Sequence, residues 1–182
     1  ICMNAGAYGR EAADVVTTVR VVTLQGVIQT IDSDGLDFSY RKSAIDEKAI
    51  VLSADMTGKR EAPSKIKAAL EEIRSTREAT QPVRLRTGGS TFVNPEGNEK
   101  AWQLVERAGC RGLKRGDAMV SDKHCNFMIN TGQATAADLE ALGEEVIAKV
   151  AAATGITLQW EIRRIGRALI RNGTAAKRGS AA

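Results

Sequence analysis

Gly88-Gly-Ser-Thr-Phe-Val-Asn-Pro-Glu-Gly97 lies just past the point where this chain changes from one kind of sequence to another. Its two glycines allow close backbone approach to a ligand, Ser90 stands behind them, and Asn94-Pro95 turns toward a helix predicted over 99–108. The stretch reads as a rigid loop presenting one hydroxyl and one amide, which is how small-molecule sites are built; an ordinary surface turn is the alternative. Upstream, the pattern is mainly β. Residues 15–24 are rich in β-branched side chains, Gln25-Gly26 supplies a turn and 27–31 resumes the strand, which predicts a hairpin. A further short strand is predicted over 49–56. Pro63 then opens a helix with Ile66, Leu70 and Ile73 at helical spacing, ending near Ala79.

Downstream, helix and strand alternate. Trp102, Leu104 and Val105 mark a helix that Gly109 ends, and short strands are predicted at 119–120 and 127–130. The clearest helix is 136–153: Thr135 and Asp138 form a capping pair, Leu139, Leu142, Val146 and Val150 recur on one face, and Gly155 follows. A closing strand is predicted over 156–165, its alternation aiming Glu161 away from Trp160 and Ile162. The fold class is therefore α+β, with a boundary between two domains near 60–82.

At 182 residues the chain suffices for one full core or two small ones, and its 43 % hydrophobic and 26 % charged composition is that of an ordinary globular protein. No apolar run approaches the roughly 18–20 residues that span a bilayer, so no membrane role is expected. The net charge of +4 owes much to the end, where 163–178 holds six Arg or Lys and no acid. With few aromatics to stack bases, that run reads as a solvated, disordered tail rather than a nucleic-acid binder. Cys2, Cys110 and Cys125 are an odd number without metal-ligand spacing, which predicts no metal site and fits a reducing cytoplasm. The opening, Ile-Cys-Met-Asn-Ala-Gly, enters as if part-way through a site-building loop, so an N-terminal portion ahead of Ile1 is expected.

Polar residues badly placed for structure alone are the candidates for chemistry. Ser90 follows two glycines, and Arg41 follows Tyr40 in a connection where a guanidinium can grip a carboxylate by two parallel hydrogen bonds. Glu161 is either a solvent-face residue or a buried acid facing a cavity. His124 is the sole histidine and reads first as structural. A serine-hydrolase grouping of Ser90 with His124 lacks the nucleophile-elbow pattern, and no dinucleotide or P-loop glycine motif is present.

Together the segments resemble the UDP-N-acetylenolpyruvoylglucosamine reductase family, over nearly the whole chain up to Gly166. Met3-Asn-Ala-Gly-Ala-Tyr-Gly9 is similar to its flavin-side loop and Tyr40-Arg-Lys-Ser43 to its YR-x-S segment. Arg77-Glu-Ala-Thr-Gln-Pro82 and the Gly88 stretch look like the entry to its substrate domain. His124-Cys-Asn-Phe127, Ile129-Asn-Thr-Gly132 and Glu161-Ile-Arg-Arg-Ile-Gly166 follow in the expected order. The short connection from Ser43 to Gln81 is similar to the compact subclass.

The resemblance implies an FAD-dependent, NADPH-using reduction of UDP-N-acetylglucosamine enolpyruvate to UDP-N-acetylmuramate by a cytoplasmic monomer. It implies that 1–60 is the C-terminal part of a flavin-binding domain, 61–82 a connecting helix and linker, 83–166 a small α/β substrate domain and 167–182 the basic tail. Asn4, Gly6, Ala7, Tyr8 and Gly9 would contact flavin. Ser90 would donate a proton to the reduced carbon, while Arg41 and a protonated Glu161 stabilise the enolate-like intermediate, burial favouring the neutral acid. Tyr40, Asn94, Lys123 and His124 would contact substrate. Two departures stand out: Val93 replaces a usual Lys or Arg, and the glycine-rich phosphate-binding segment is missing. The alternative is a non-catalytic module that grips UDP-sugar without reducing it.

Overall fold

The computed structural model describes residues 1–166, and these divide into two compact units, Ile1–Ile66 and one beginning at Lys67. The sequence expectation for the 167–182 tail lies outside the described residues.

The first unit begins with a small hairpin of β1 (Gly6–Ala7) and β2 (Arg10–Glu11). A three-stranded antiparallel sheet follows, built from β3 (Val16–Val22), β4 (Ile28–Asp32) and β5 (Ile50–Met56) in the order β4-β3-β5. The predicted hairpin is present, and Gly26 at φ 79 makes its turn. Strict alternation does not put Val16, Val19 and Val21 on one face. A bulge at Thr17 re-phases the strand, so all three bury with Leu36 and Ile45 in one core.

Helix α1 (Pro63–Thr80) straddles the division between the units and buries none of its side chains; Leu70 is 63 % exposed. The second unit then adds β6 (Thr87–Ser90), α2 (Ala101–Arg107), β7 (Lys114–Arg115), β8 (Ala118–Val120), β9 (Phe127–Asn130) and α3 (Ala136–Thr154). Its antiparallel sheet runs β6-β9-β8-β7. Leu142, Val146 and Val150 of α3 pack with Leu104 and Val105 of α2 and with Phe92, Val120 and Leu158. The α3 boundaries follow its caps: Thr135 Oγ1 accepts the Asp138 N–H at 3.1 Å, and Gly155 at φ 76 receives the chain in the left-handed region.

Two expectations need correction. Thr87–Ser90 is a strand rather than part of a loop, because pairing with β9 overrides the poor strand preference of Thr-Gly-Gly-Ser. Gly89 at φ 91 holds the bulge between its two paired positions. Conversely, 156–165 is no strand: its one bridge joins Trp160 to Phe92. The ladder stops there because the Thr91 carbonyl takes both the Glu161 and Ile162 N–H groups, at 2.8 and 3.4 Å, instead of one donor per step. Packing holds the segment in its place. The Trp160 indole lies 5.4 Å from the Phe92 ring, donates to Glu144 Oε1 at 3.1 Å, and sits against Gly143, where a Cβ would collide with it.

Candidate active site

In the first unit the structure joins two segments distant in sequence. Asn4, 2 % exposed and at φ 40, accepts the Ala13 N–H on Oδ1 at 3.0 Å and donates from Nδ2 to the Ser39 carbonyl at 3.2 Å. Ser43 Oγ donates to the Cys2 carbonyl at 3.0 Å. The opening loop is thereby tied to the turn bearing Tyr40 and Arg41. Gly6 and Ala7 lie in β1, while Tyr8 and Gly9, at φ 54 and 74, make the two-residue tip of its hairpin. Tyr8 is 49 % exposed and non-glycine in the left-handed region, an arrangement that costs energy and presents the ring at the tip. Gly6 is boxed in, since a Cβ there would meet Arg10 O and Glu11 Cβ at 3.1 Å.

Ser39 and Lys42 exchange backbone hydrogen bonds at 3.0 and 3.1 Å, which makes Tyr40 and Arg41 the centre of a tight turn. Arg41 sits at φ 58 with its guanidinium 5.5 Å from the Tyr40 ring centroid. Strain held by a double hydrogen bond is a device for aiming one side chain.

In the second unit Ser90, half-buried, ends β6 opposite Phe127. Glu161 is half-buried as well, and its N–H reaches the carbonyl of Thr91, the residue that follows Ser90. Between them Thr91 is fully buried, with no hydrogen-bond partner for its hydroxyl among the described residues.

Asn94 Oδ1 accepts the Ala101 N–H at 3.0 Å, and Gln103 Oε1 accepts the Lys100 N–H at 2.8 Å, so the start of α2 is capped by two side chains. Asn94 thus has a structural task beside its expected one. Lys123 and His124 lie in the connection between β8 and β9. Buried Ser121 accepts both of their N–H groups on Oγ, at 3.1 and 3.2 Å. Lys123 Nζ donates to the Glu78 carbonyl at 2.8 Å, over a shallow depression of about 320 Å³ lined by Glu78, Pro82, Arg84, Leu85 and Lys123.

Burial, seconded by the nearby charge of Arg111, pushes the His124 imidazole below its usual range. Its Nδ1 accepts the Asn126 N–H at 3.3 Å, and its ring stacks edge-on to Phe127 at 4.8 Å. A neutral ring donating from Nε2 is what this surrounding favours.

Asn126, which the sequence carries only as part of His124-Cys-Asn-Phe127 and without a role of its own, is 4 % exposed, and its side chain binds both backbone groups of Phe92 at 2.9 Å. Its signal was a polar residue wedged between Cys125 and the apolar strand 127–130.

A family model, the C-terminal domain of UDP-N-acetylenolpyruvoylglucosamine reductase, matches residues 81–165. A curated relative from Rhizorhabdus wittichii, named UDP-N-acetylenolpyruvoylglucosamine reductase, is 54 % identical over 164 residues, which is 90 % of this chain and 53 % of the relative. A reductase of the same name from Gluconobacter oxydans is 52 % identical over 91 % of this chain and 54 % of its own length. The crystal structure of the Thermus caldophilus reductase superposes with a TM-score of 0.75 at 34 % identity, covering 88 % of this chain and 57 % of that one. The chain therefore spans about half the length of the curated relatives it matches. Those relatives match across both units, and the family model covers most of the described second unit. This chain belongs to the UDP-N-acetylenolpyruvoylglucosamine reductase family.

Proposed function

We propose that this chain carries the proton-donating and substrate-holding part of an enzyme that reduces UDP-N-acetylglucosamine enolpyruvate to UDP-N-acetylmuramate in peptidoglycan precursor synthesis. The carrying observation is that the Glu161 N–H reaches the carbonyl of the residue that follows Ser90, within a region matched by the family. The described residues suit one flank of a flavin: an exposed aromatic tip at Tyr8-Gly9, held in left-handed geometry and tied down by Asn4. Bound FAD, recharged by NADPH, would supply the hydride.

The chain's own groups do the rest. Ser90 Oγ–H delivers the proton to the carbon acceptor, a transfer worth about 10²–10⁴ in rate when well placed. A serine hydroxyl is too weak an acid for a neutral acceptor, and the high-energy enolate supplies the driving force. Arg41 pairs with the substrate carboxylate and disperses negative charge as it develops. Glu161 assists by donating a hydrogen bond to the enolate from its protonated form, since an ionised carboxylate would repel it. Asn94, Lys123, His124 and Tyr40 contact the nucleotide sugar, with Lys123 supplying the cation.

A second reading, a module that binds UDP-sugar without reducing it, draws support from the half-length coverage of the relatives. One preparation tests both. The enzyme reading expects a yellow protein that oxidises NADPH only with the enolpyruvyl substrate, and turnover cut at least about a hundredfold by Ser90→Ala. A colourless protein stabilised by UDP-N-acetylglucosamine supports the second. No response to either ligand sinks both.

A further inference from the structure

We propose that Asn126 is a positioning residue that fixes the register of Ser90 against Glu161; the meaning of that register rests on the reading of this pair given above. Regular pairing of β6 with β9 ends at Ser90, beyond the Gly89 bulge. Past that point the side chain of Asn126 takes over from the missing ladder. Its Oδ1 accepts the Phe92 N–H at 2.9 Å, its Nδ2 donates to the Phe92 carbonyl at 2.9 Å, and its own carbonyl accepts the Thr91 N–H at 2.7 Å. A carboxamide suits this task because it offers one donor and one acceptor side by side, as a neighbouring strand would.

The opposite edge of the same strip is held by the closing segment. Glu161 and Ile162 donate to the Thr91 carbonyl, and Val93 N–H donates to the Gln159 carbonyl at 2.9 Å. Residues 91–93 are thus gripped from both sides, with Ser90 entering the strip and Glu161 hanging from it. Asn126 is itself held, because its N–H donates to His124 Nδ1 and the turn behind it is closed by Ser121. Replacing it leaves both Phe92 backbone groups buried without partners, and that penalty falls on the strip.

Backbone hydrogen exchange of the whole chain tests this. In the unaltered protein the Phe92, Val93 and Glu161 amides exchange within about tenfold of Val146 and Val150 in α3. In Asn126→Ala they speed up at least about tenfold more than those α3 amides do. The ¹³C signals of Ser90 Cβ and Glu161 Cδ shift in that variant, whereas those of Ser53 and Glu99 stay in place. Equal acceleration at the strip and α3 would show a general stability role and overturn the proposal. If Asn126→Ala fails to fold, the unaltered protein still decides: a strip exchanging a thousandfold faster than α3 is not clamped, and the proposal falls. A Ser90→Ala variant with undiminished turnover sinks the catalytic reading instead, and leaves this exchange pattern as it is.

Discussion

Gly143 is where a single methyl group separates two opposed expectations. It lies inside α3 and is buried, and an added Cβ would collide with three atoms of the Trp160 ring. Helix preference alone makes Gly143→Ala stabilising by about 1 kcal/mol. The collision makes it destabilising. Overpacking costs about 1–3 kcal/mol, and overlap with three ring atoms at once places this site near the upper end. The ring has little room to retreat, since Phe92 lies 5.4 Å from it, Glu144 holds its Nε1–H and the Arg164 guanidinium sits 5.0 Å over it. Subtracting the helix gain leaves a net loss of about 2 kcal/mol. For a unit of about 100 residues unfolding as one, that lowers Tm by roughly 8–16 °C. The assay is thermal unfolding followed by circular dichroism and by Trp160 emission in a Trp102→Phe background. Ala148→Gly, on the exposed side of the same helix, calibrates the propensity term with a loss of about 1 kcal/mol. In a Trp160→Leu background the penalty of Gly143→Ala shrinks or reverses, because the colliding group is gone. A rise in Tm on Gly143→Ala, or a penalty unchanged without the indole, refutes the reasoning.

Three further outcomes are expected. His124 has a folded pKa below its unfolded value of 6.5, so the unfolded chain binds more protons and stability falls as pH drops through about 6.5 toward the folded pKa. Tm measured at pH 7.5 and 5.5 therefore falls further in the unaltered protein than in His124→Gln; parallel falls contradict this. Thr91→Val removes a buried hydroxyl that lacks a hydrogen-bond partner among the described residues, and raises stability by about 1 kcal/mol in urea unfolding, whereas a loss of that size would reveal a partner. Burial raises the thiol pKa of Cys110 and Cys125, while Cys2 is exposed. One thiol per chain should react promptly with a disulfide reagent in the folded protein and three after denaturation, and a second fast thiol would contradict this packing.

What could be read from the sequence was local. The capping pair Thr135–Asp138, the stripe Leu142, Val146 and Val150, and Gly155 determine α3 within their own turns. The β-branched run with its Gly26 turn determines the β3–β4 hairpin in the same way. Periodicity and capping act over three or four residues, so a sequence carries them openly. Ser90 and Glu161 were legible as oddities of placement, and family resemblance supplied their expected task.

What only the tertiary structure decided depends on partners far along the chain. Thr-Gly-Gly-Ser becomes a strand because β9 offers it hydrogen bonds. Residues 156–165, strand-like in pattern, stay outside any ladder because Thr91 receives two donors and Trp160 is anchored on Gly143 and Glu144. Asn4 had been legible only as a flavin-loop residue, yet it ties that loop to Ser39, 35 positions away; Asn126 grips Phe92 across 34. A buried polar side chain takes the backbone partner that folding brings within hydrogen-bond reach, and nothing in its sequence neighbourhood names that partner.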